Sequence, residues 1–345
     1  MTRAVAMLRY LQTETEDVAA QAELWANAFG ELGYAIRRVD HNDVIHNRDA
    51  DAIVSAIDGC AVVVAANVCS VPASPHVSTI ANALQAHAAR GGRVIFHHHE
   101  LPWDPGWSER ADDTLPPRAH GAAHIGVSLR ARRDLQAHGY TSAFAIHNHY
   151  DFDAPVGERD ATRAALGFDD DEIVLYQPTA ATRNTNVAGA VRFVSALHAA
   201  IPKQRLRYWL RGPVHDDVAS TVERLLERCP VPVTFSDAPP DRRDAIAASD
   251  VVLVPATWDP SGSAAIEAII GERPCVVGTF PVLGELQAIG LRFFSVAEPV
   301  ELVKFLARPN GRVADVNLRR ARLSFAAEHL PAKLADVLMA FEIGP

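Results

Sequence analysis

The sequence predicts a doubly wound α/β protein built from two domains. Short apolar runs, typical of strands in a parallel sheet covered on both faces, alternate with amphipathic stretches of helical period. The alternation breaks once, in a polar stretch rich in turn-forming residues: Asp151, Asp153, Pro155 and Gly157. A length of 345 residues also fits two domains. We therefore expect domains at residues 1–150 and 151–345.

In the first half, periodicity and terminators define the elements. Residues 17–32 carry apolar side chains three or four residues apart, and Gly33 follows as a helix terminator. Residues 61–66 contain no polar side chain, as expected of a buried strand. The same criteria predict strands at 4–11, 35–39, 61–66, 93–98, 124–128 and 143–146, and helices at 17–32, 50–57, 76–90 and 129–138. The proline-rich residues 101–117 are expected to form a loop.

The second half repeats this pattern after the linker. The predicted strands are 173–176, 206–210, 231–235, 251–254, 275–277 and 292–295. The predicted helices are 159–166, 187–200, 217–228, 242–248, one from 263, 300–306 and a final helical region at 314–341. The last helix is a candidate to pack back on the first domain.

Charge and composition argue against several classes of protein. The formal net charge is −9 and no run is rich in Lys or Arg, which argues against nucleic-acid binding. The 4 cysteines are scattered without metal-ligand spacing, so we expect free thiols in a reducing compartment. The N-terminus has no signal-peptide architecture, and no apolar run approaches the roughly 20 residues that span a bilayer. The sequence therefore predicts a cytoplasmic protein without an integral membrane segment.

The most informative stretch is residues 251–271, an apolar strand followed by a polar loop and a helix from Ser263. A helix N-terminus after a parallel strand binds anions, because its free N–H groups and its dipole point at the ligand. We expect the backbone N–H groups of Ser261, Gly262 and Ser263 to hold a phosphate. Asp259 and Glu267 would then accept hydrogen bonds from sugar hydroxyls. The alternative is structural: Asp259 caps the helix and Glu267 is an exposed helix residue.

This stretch resembles the acidic pair, spaced by seven residues, of the retaining GT-B glycosyltransferases, family 4 in particular. That family usually has Glu at both positions, and Asp259 stands at the first here. The lead-in Ala-Ala-Ser-Asp-Val-Val-Leu-Val-Pro and the continuation Glu-Ala-Ile-Ile-Gly-Glu-Arg-Pro-Cys-Val-Val also resemble the family's flanks. The resemblance covers most of the second half and is thinner in the first. It implies two Rossmann-like domains that face each other across a cleft.

The resemblance also implies roles for individual residues. Glu267 would bind the nucleotide ribose, Asp259 the hydroxyls of the transferred sugar, and Glu285 the sugar from the next loop. Family members place a His at a strand end near the donor sugar, and His97 of Phe-His-His-His-Glu is the best match. On an extended segment His97 and His99 share one face, and His98 lies on the other. A polar strand end without function is the alternative for these histidines.

In the family, an Arg and a Lys in the loop at residues 179–187 neutralise the donor diphosphate. Here Ala180 and Thr185 stand at the Arg and Lys positions, and Arg183 is the cation that remains, followed by Asn184. Without a metal, such a cation or a helix N-terminus has to stabilise the leaving diphosphate.

The acceptor side is less well defined. Glu14 lies after the first strand, where the family usually has a Gly-Gly loop, and would favour a neutral or cationic acceptor such as an amino sugar. An ordinary helix N-terminal turn is its alternative. Trp103, in the loop after the histidines, would stack on a sugar or pack in the core, and His99 shares the face of His97. A metal site from the neighbouring histidines lacks three or four convergent ligands, so no metal is expected.

The sequence thus predicts a retaining, metal-independent hexosyltransferase. It would move a hexose from a nucleotide-diphosphate sugar to a hydroxyl of a small or carrier-bound acceptor, with no cofactor besides the donor substrate. The alternative is a degenerate GT-B homologue that binds a sugar nucleotide or a partner protein without transfer. The missing Lys, the missing Gly-Gly loop and Asp259 favour this alternative. The flanks argue against another GT-B enzyme such as a nucleotide-sugar epimerase.

Overall fold

The computed structural model describes residues 3–9, 16–39, 50–72, 77–107, 114–119, 121–236 and 241–343. The chain forms two compact units, each with its own parallel sheet. Unit 1 comprises Met1–Asp151 with Phe325–Pro345, and unit 2 comprises Phe152–Ser324. Among the described residues, no helix combines the length and the apolar character required to cross a membrane.

Unit 1 contains a six-stranded parallel sheet. Its strands are β1 (Ala4–Leu8), β2 (Ala35–Val39), β3 (Val62–Ala66), β4 (Arg93–His98), β5 (Ala122–Gly126) and β6 (Ala143–Ala145). Its helices are α1 (Glu16–Glu31), α2 (Ala50–Ile57), α3 (Val77–Ala89), α4 (Leu129–Ala137) and, from the end of the chain, α13 (Leu330–Ile343). The strand order is β2-β1-β3-β4-β5-β6.

Successive residues of β3 and β4 pack against different helices, because side chains alternate across a strand. Val63 and Phe96 lie in the core formed with α2 and α3. Val64 and Ile95 lie in the core formed with α1 and α13. The last helix therefore covers the same face of the sheet as the first.

Unit 2 contains a second six-stranded parallel sheet. Its strands are β7 (Glu172–Gln177), β8 (Arg205–Arg211), β9 (Val233–Ser236), β10 (Val251–Val254), β11 (Cys275–Val277) and β12 (Phe294–Ser295). Its helices are α5 (Arg159–Leu166), α6 (Val187–Ala200), α7 (Ala219–Glu227), α8 (Arg242–Ala248), α9 (Ser263–Ile270), α10 (Leu283–Ala288), α11 (Pro299–Ala307) and α12 (Gly311–Phe325).

The strand order of unit 2 is β12-β11-β10-β7-β8-β9, so the direction of winding reverses between β7 and β10. Counted from β9, this is the order 3-2-1-4-5-6 of nucleotide-binding sheets. In such sheets ligands bind outside the carboxyl ends of the strands, at the reversal. A ligand site is therefore expected at the loops that follow β7 and β10.

Several predicted bounds differ from the observed ones by a few residues; β9 and β12, for example, each begin two residues later than expected. Three further differences have a visible cause. Strand β5 begins two residues early, because its ladder with β4 pairs Val94 with Ala122. Helix α10 was not predicted, since it is short and contains Gly284. The expected helix at 314–341 is interrupted after α12, where Tyr150 N–H donates to the Phe325 carbonyl (2.8 Å) and a 3-10 turn, Ala327–His329, begins.

Candidate functional site

The loop after β10 is shaped by Asp259. Its Oδ1 accepts hydrogen bonds from the backbone N–H of Ser261 (3.0 Å) and of Gly262 (2.8 Å), and from the Ser261 hydroxyl (3.3 Å). Gly262 adopts a positive φ of 69° and precedes the first residue of α9. A Cβ on Gly262 would lie 2.8 Å from Leu286 Cδ1, so glycine suits this position in two ways. Asp259 therefore sets the direction in which the chain enters α9.

The hydroxyls at the start of α9 form a small polar cluster. Ser261 Oγ lies 2.9 Å from Ser263 Oγ and accepts from the Ser263 N–H at 3.3 Å. The N-cap Gly262 has no side chain with which to cap the helix. Serine hydroxyls and the first backbone N–H groups of α9 therefore meet at the helix N-terminus, the kind of position at which proteins bind anions.

The loop after β7 is fastened to the loop after β10 across the reversal. Thr257 N–H donates to the Asn184 carbonyl (2.9 Å), and Asn186 Nδ2 donates to the Pro255 carbonyl (3.0 Å). Asn186 adopts the left-handed conformation and caps α6 by accepting from the Gly189 N–H. These contacts bring Asn184, which the sequence assigns to the donor side, beside the Asp259 loop.

The side chain of Arg183 lies at the protein surface and pairs with Asp217. Its Nε pairs with Asp217 Oδ2 at 2.9 Å, and 75% of the side chain is exposed. Thr185, at the position of the family's Lys, uses its hydroxyl to accept from the Thr182 N–H (2.9 Å) within the loop. Arg183 is thus a surface cation in this structure.

Glu267 lies on the second turn of α9 and forms an ion pair. Its Oε2 lies 3.0 Å from Nε of Arg242, the first residue of α8, and the two side chains are 19% and 20% exposed. Arg242 was not predicted, because nothing in the sequence links the start of one helix to the next. The site residues of unit 2 therefore include a cation that sequence reasoning missed.

Glu285 lies in the first turn of α10 and is half-buried. The segment between β11 and α10 is pressed against the loop after β10. Gly278 N–H donates to the Val254 carbonyl (2.8 Å), and a Cβ on Gly278 would lie 2.2 Å from the Ala256 carbonyl oxygen. The carboxyl ends of β10 and β11 thus approach closely, and only glycine fits between them.

In unit 1, the histidines at the end of β4 divide between the two faces as predicted. His97 stacks on Trp25 of α1, with ring centroids 4.1 Å apart, and meets the edge of His99 at 4.7 Å. His97 is 1% exposed, and neither ring nitrogen has a hydrogen-bond partner among the described residues. Burial, with the neighbouring histidines, holds the pKa of His97 well below its usual value, and burial lowers the pKa of His99 to about 4. Both rings are neutral at neutral pH.

His98 faces the opposite side and belongs to a buried hydrogen-bonded chain. Its Nδ1 lies 2.8 Å from Ser70 Oγ, and its Nε2 lies 3.0 Å from His124 Nδ1. Burial lowers the pKa of His124 to about 3. Because His98 and His124 share a hydrogen bond, the tautomer of one ring determines the tautomer of the other. Both nitrogens of His98 are used inside the protein, so its role is structural.

His149 joins the His97 side of the sheet. It is fully buried, its backbone exchanges two hydrogen bonds with the Gln21 side chain (2.7 and 2.9 Å), and its Nε2 lies 3.0 Å from Lys333 Nζ. Burial lowers the pKa of His149 to about 3 and also lowers the pKa of Lys333. Among the described residues, no group of three or more His, Cys, Asp and Glu side chains is placed to hold a metal ion.

The turn after β4 is held by Asn67, which adopts a positive φ of 58°. Its Oδ1 accepts from the N–H groups of His99 (3.0 Å) and Glu100 (3.3 Å). Trp103 stacks on His138 with centroids 3.7 Å apart and packs in a small apolar cluster with Leu101. This supports the packing alternative for Trp103, while Glu14 lies outside the described residues.

The similarity to known proteins lies in the structure alone. No family model and no curated protein matches the sequence. HepE of Anabaena, crystallised with UDP-glucose, is 15% identical, with a TM-score of 0.74 over 98% of this chain and 99% of that chain. A glycosyltransferase from Rickettsia africae is 10% identical, with a TM-score of 0.72 over 100% of both chains. Sucrose-phosphate synthase of Thermosynechococcus elongatus is 14% identical, with a TM-score of 0.69 over 99% and 100%.

These neighbours extend over the whole chain, which has two parallel six-stranded sheets with flanking helices. The chain therefore has the GT-B fold of glycosyltransferases.

Proposed function

We propose that the protein is a retaining glycosyltransferase that transfers a hexose from a nucleoside diphosphate sugar to a hydroxyl acceptor. The observation that carries the proposal is the junction of the loops after β7 and β10. There Asp259 orients the start of α9, and Asn184 is fastened beside it, at the reversal of a nucleotide-binding sheet. HepE, which has a similar fold, is described in complexes with UDP and with UDP-glucose.

The donor would bind to unit 2. The first turn of α9, from Ser263, supplies N–H groups and the positive end of the helix dipole to the diphosphate. Glu267, one turn further on, accepts from the ribose hydroxyls. Asp259 uses Oδ1 to hold its own loop, and its second carboxylate oxygen would accept from a hydroxyl of the transferred sugar. Glu285 would approach the same sugar from the start of α10.

Charge stabilisation of the leaving diphosphate is the main chemical requirement. Preorganised N–H groups contribute most to such stabilisation, because they need no reorganisation as charge develops. Arg183 would become available to the diphosphate if its exposed pair with Asp217 separated, which costs little, since such pairs are worth roughly 0–1 kcal/mol. The leaving diphosphate would itself accept the proton of the acceptor hydroxyl. Transfer by this route needs no metal cofactor, and we expect it to survive chelation by EDTA.

His97 stays the catalytic candidate of unit 1, as a neutral ring. With its pKa held low, it would donate one hydrogen bond and accept another, and would add no positive charge. Its two ring nitrogens have no partner among the described residues, but the ring is 1% exposed, so a contact with a hydroxyl would require the ring to become accessible. His99 and Trp103 stay acceptor-side candidates.

A second function is binding without transfer. The loop at 179–187 favours it, because Thr185 uses its hydroxyl within the loop and Arg183 is directed at Asp217. A site that binds the diphosphate but cannot stabilise its departure would hold a sugar nucleotide without cleaving it.

One assay separates the two functions. The protein is incubated with UDP-, GDP-, ADP- and dTDP-sugars, with and without a panel of hydroxyl acceptors, and release of the nucleoside diphosphate is measured beside donor binding. Release that is lost in Glu267→Ala, and kept in the exposed control Glu301→Gln, supports the enzyme. Binding without release supports the binding protein. If the protein neither binds any of these donors nor releases a nucleoside diphosphate from them, the proposal is overturned.

A further inference from the structure

Arg242 contacts Glu267 and has no role in the function derived so far. Its Nε lies 3.0 Å from Glu267 Oε2, and both side chains are about four-fifths buried, with 20% and 19% exposed. A partly buried ion pair holds its partners more firmly than a surface pair, because water screens it less. The orientation of the Glu267 carboxylate therefore depends on Arg242.

The packing of α8 against α9 does not depend on this pair. One turn after Arg242, Ile246 fills the space beside Gly271, where an added Cβ would lie 2.4 Å from Ile246 Cγ2. Beyond it, Arg273 donates to the carbonyls of Ile246 (3.2 Å) and Ala247 (3.0 Å). The two helices are held together at the end remote from Arg242. The ion pair joins the first residue of α8 to the second turn of α9, one turn beyond the helix end at which we propose that the diphosphate binds.

Glu267 has an electrostatic difficulty as a nucleotide ligand. A carboxylate within a few ångströms of a diphosphate is repelled by it, and two like charges 4 Å apart interact by about 4 kcal/mol at an effective dielectric constant of 20. A guanidinium at 3.0 Å from the carboxylate compensates this repulsion. Because both side chains are largely buried, the pair also restricts the position of the carboxylate.

We propose that Arg242 is a positioning residue for the nucleotide ribose. Through the ion pair it holds the Glu267 carboxylate in place for a ribose hydroxyl, and it offsets the charge of Glu267 beside the diphosphate. The proposal rests on the proposed function, since it concerns the same donor site. It assigns recognition of ribose, as opposed to deoxyribose, to an arginine–glutamate pair that spans two helices.

The test compares ribonucleoside with 2′-deoxyribonucleoside diphosphates of uracil, guanine and adenine by calorimetry. For the base that binds, wild type should prefer the ribonucleotide by about tenfold, the value of one hydrogen bond to a charged group. Arg242→Gln should lose about tenfold in affinity for the ribonucleotide, and its ribose preference should approach one. Arg242→Lys should recover part of the preference, and the double variant with Glu267→Ala should bind no worse than Glu267→Ala alone.

The control is Arg243→Gln, which removes the same charge from the next residue of α8, an exposed one. It should keep both the affinity and the ribose preference, whereas a general charge effect would change both variants alike. Unchanged ribose preference in Arg242→Gln, with its melting temperature unchanged, overturns the inference and leaves the proposed function standing. Absence of nucleotide binding by wild type overturns both.

Discussion

The carboxyl edges of the two sheets carry candidate site residues of opposite character. In unit 1, His97, His98 and His99 are buried, and burial keeps their pKa values low and their rings neutral. In unit 2, Asp259 and Glu267 are only partly buried and already hold hydrogen bonds or an ion pair. In the proposed reaction, these neutral histidines could not supply positive charge to the diphosphate. The proposal therefore assigns that charge to a helix N-terminus and arginines of unit 2.

The largest loss of stability is expected at Gly278 of unit 2, where the structure has no space for a side chain. Gly278→Ala places a Cβ 2.2 Å from the Ala256 carbonyl oxygen and 2.4 Å from that of Pro255. Because these are backbone atoms of the loop that leads to Asp259, the strands must shift, and we expect a loss of roughly 3 kcal/mol in the free energy of unfolding. Nucleotide binding should weaken with it. Urea denaturation and calorimetry measure the two effects.

Gly284→Ala is the matched control for that substitution. In the described part of the chain, nothing lies within 4 Å of the point where its Cβ would stand, and the residue is inside α10 with an ordinary φ. Alanine is the better helix former by about 1 kcal/mol, so this variant should be as stable as wild type or more so. Equal destabilisation of both variants would contradict the close approach of β10 and β11.

The histidines of unit 1 provide the second test, since their two faces should respond oppositely. His97→Phe keeps the stack on Trp25 and removes two buried nitrogens that have no partner among the described residues, so it should stabilise by about 1 kcal/mol. His98→Phe leaves Ser70 and His124 without their partner and should cost roughly 1–3 kcal/mol. Thermal denaturation of both variants measures the two changes in stability. A change of the same sign in both variants would contradict the assignment of His97 and His98 to opposite faces.

Acid should destabilise the protein through the same histidines. Their pKa values lie below those of the unfolded chain, at about 4 for His99 and about 3 for His149. The unfolded state therefore binds more protons, and stability is complete above a pH of about 6.5 and falls as the pH drops towards 4 and 3. Each such group contributes up to about 1.4 kcal/mol per pH unit in that window. His97→Phe should flatten the slope measured by denaturation between pH 6.5 and 4.

A smaller loss of stability is expected from substitution of Asp259. Asp259→Ala removes an acceptor used by two backbone N–H groups and by the Ser261 hydroxyl, which resembles the loss of a helix cap and should cost roughly 1–2 kcal/mol. Asp259→Asn keeps a side-chain oxygen in place and should recover most of this stability. Sugar transfer should be lost in the alanine variant. Full transfer by it would remove Asp259 from the site.

The smallest effect belongs to Arg183. Arg183→Gln breaks an exposed pair with Asp217 and should change stability by less than about 1 kcal/mol. If Arg183 swings to the diphosphate, the variant should still release diphosphate more slowly than wild type, while Asp217→Asn should not. Equal rates of diphosphate release in all three proteins would mean that Arg183 does not stabilise the leaving diphosphate, which would then depend on α9 and Arg242.

The sequence predicted the elements whose signals are local. The bounds of β10 and the start of α9 are as expected, because an apolar run and Gly262 define them, and strand alternation placed His97 and His98 on opposite faces. Contacts between distant residues were not predictable. The Arg242–Glu267 pair joins two helices, and the break after α12 depends on the backbone of Tyr150.

The central claim is that unit 2 binds a nucleoside diphosphate through α9 and Glu267. Its most direct test is the thermal unfolding of wild type and Glu267→Ala with UDP, GDP, ADP and dTDP and their sugar conjugates. A ligand at 100 times its dissociation constant adds about 2.7 kcal/mol to the folded state. We predict a clear rise in melting temperature for one diphosphate, and a rise about half as large in Glu267→Ala, since a tenfold loss of affinity removes about half of the added free energy. No rise with any of them, or an equal rise in Glu267→Ala, would contradict the claim.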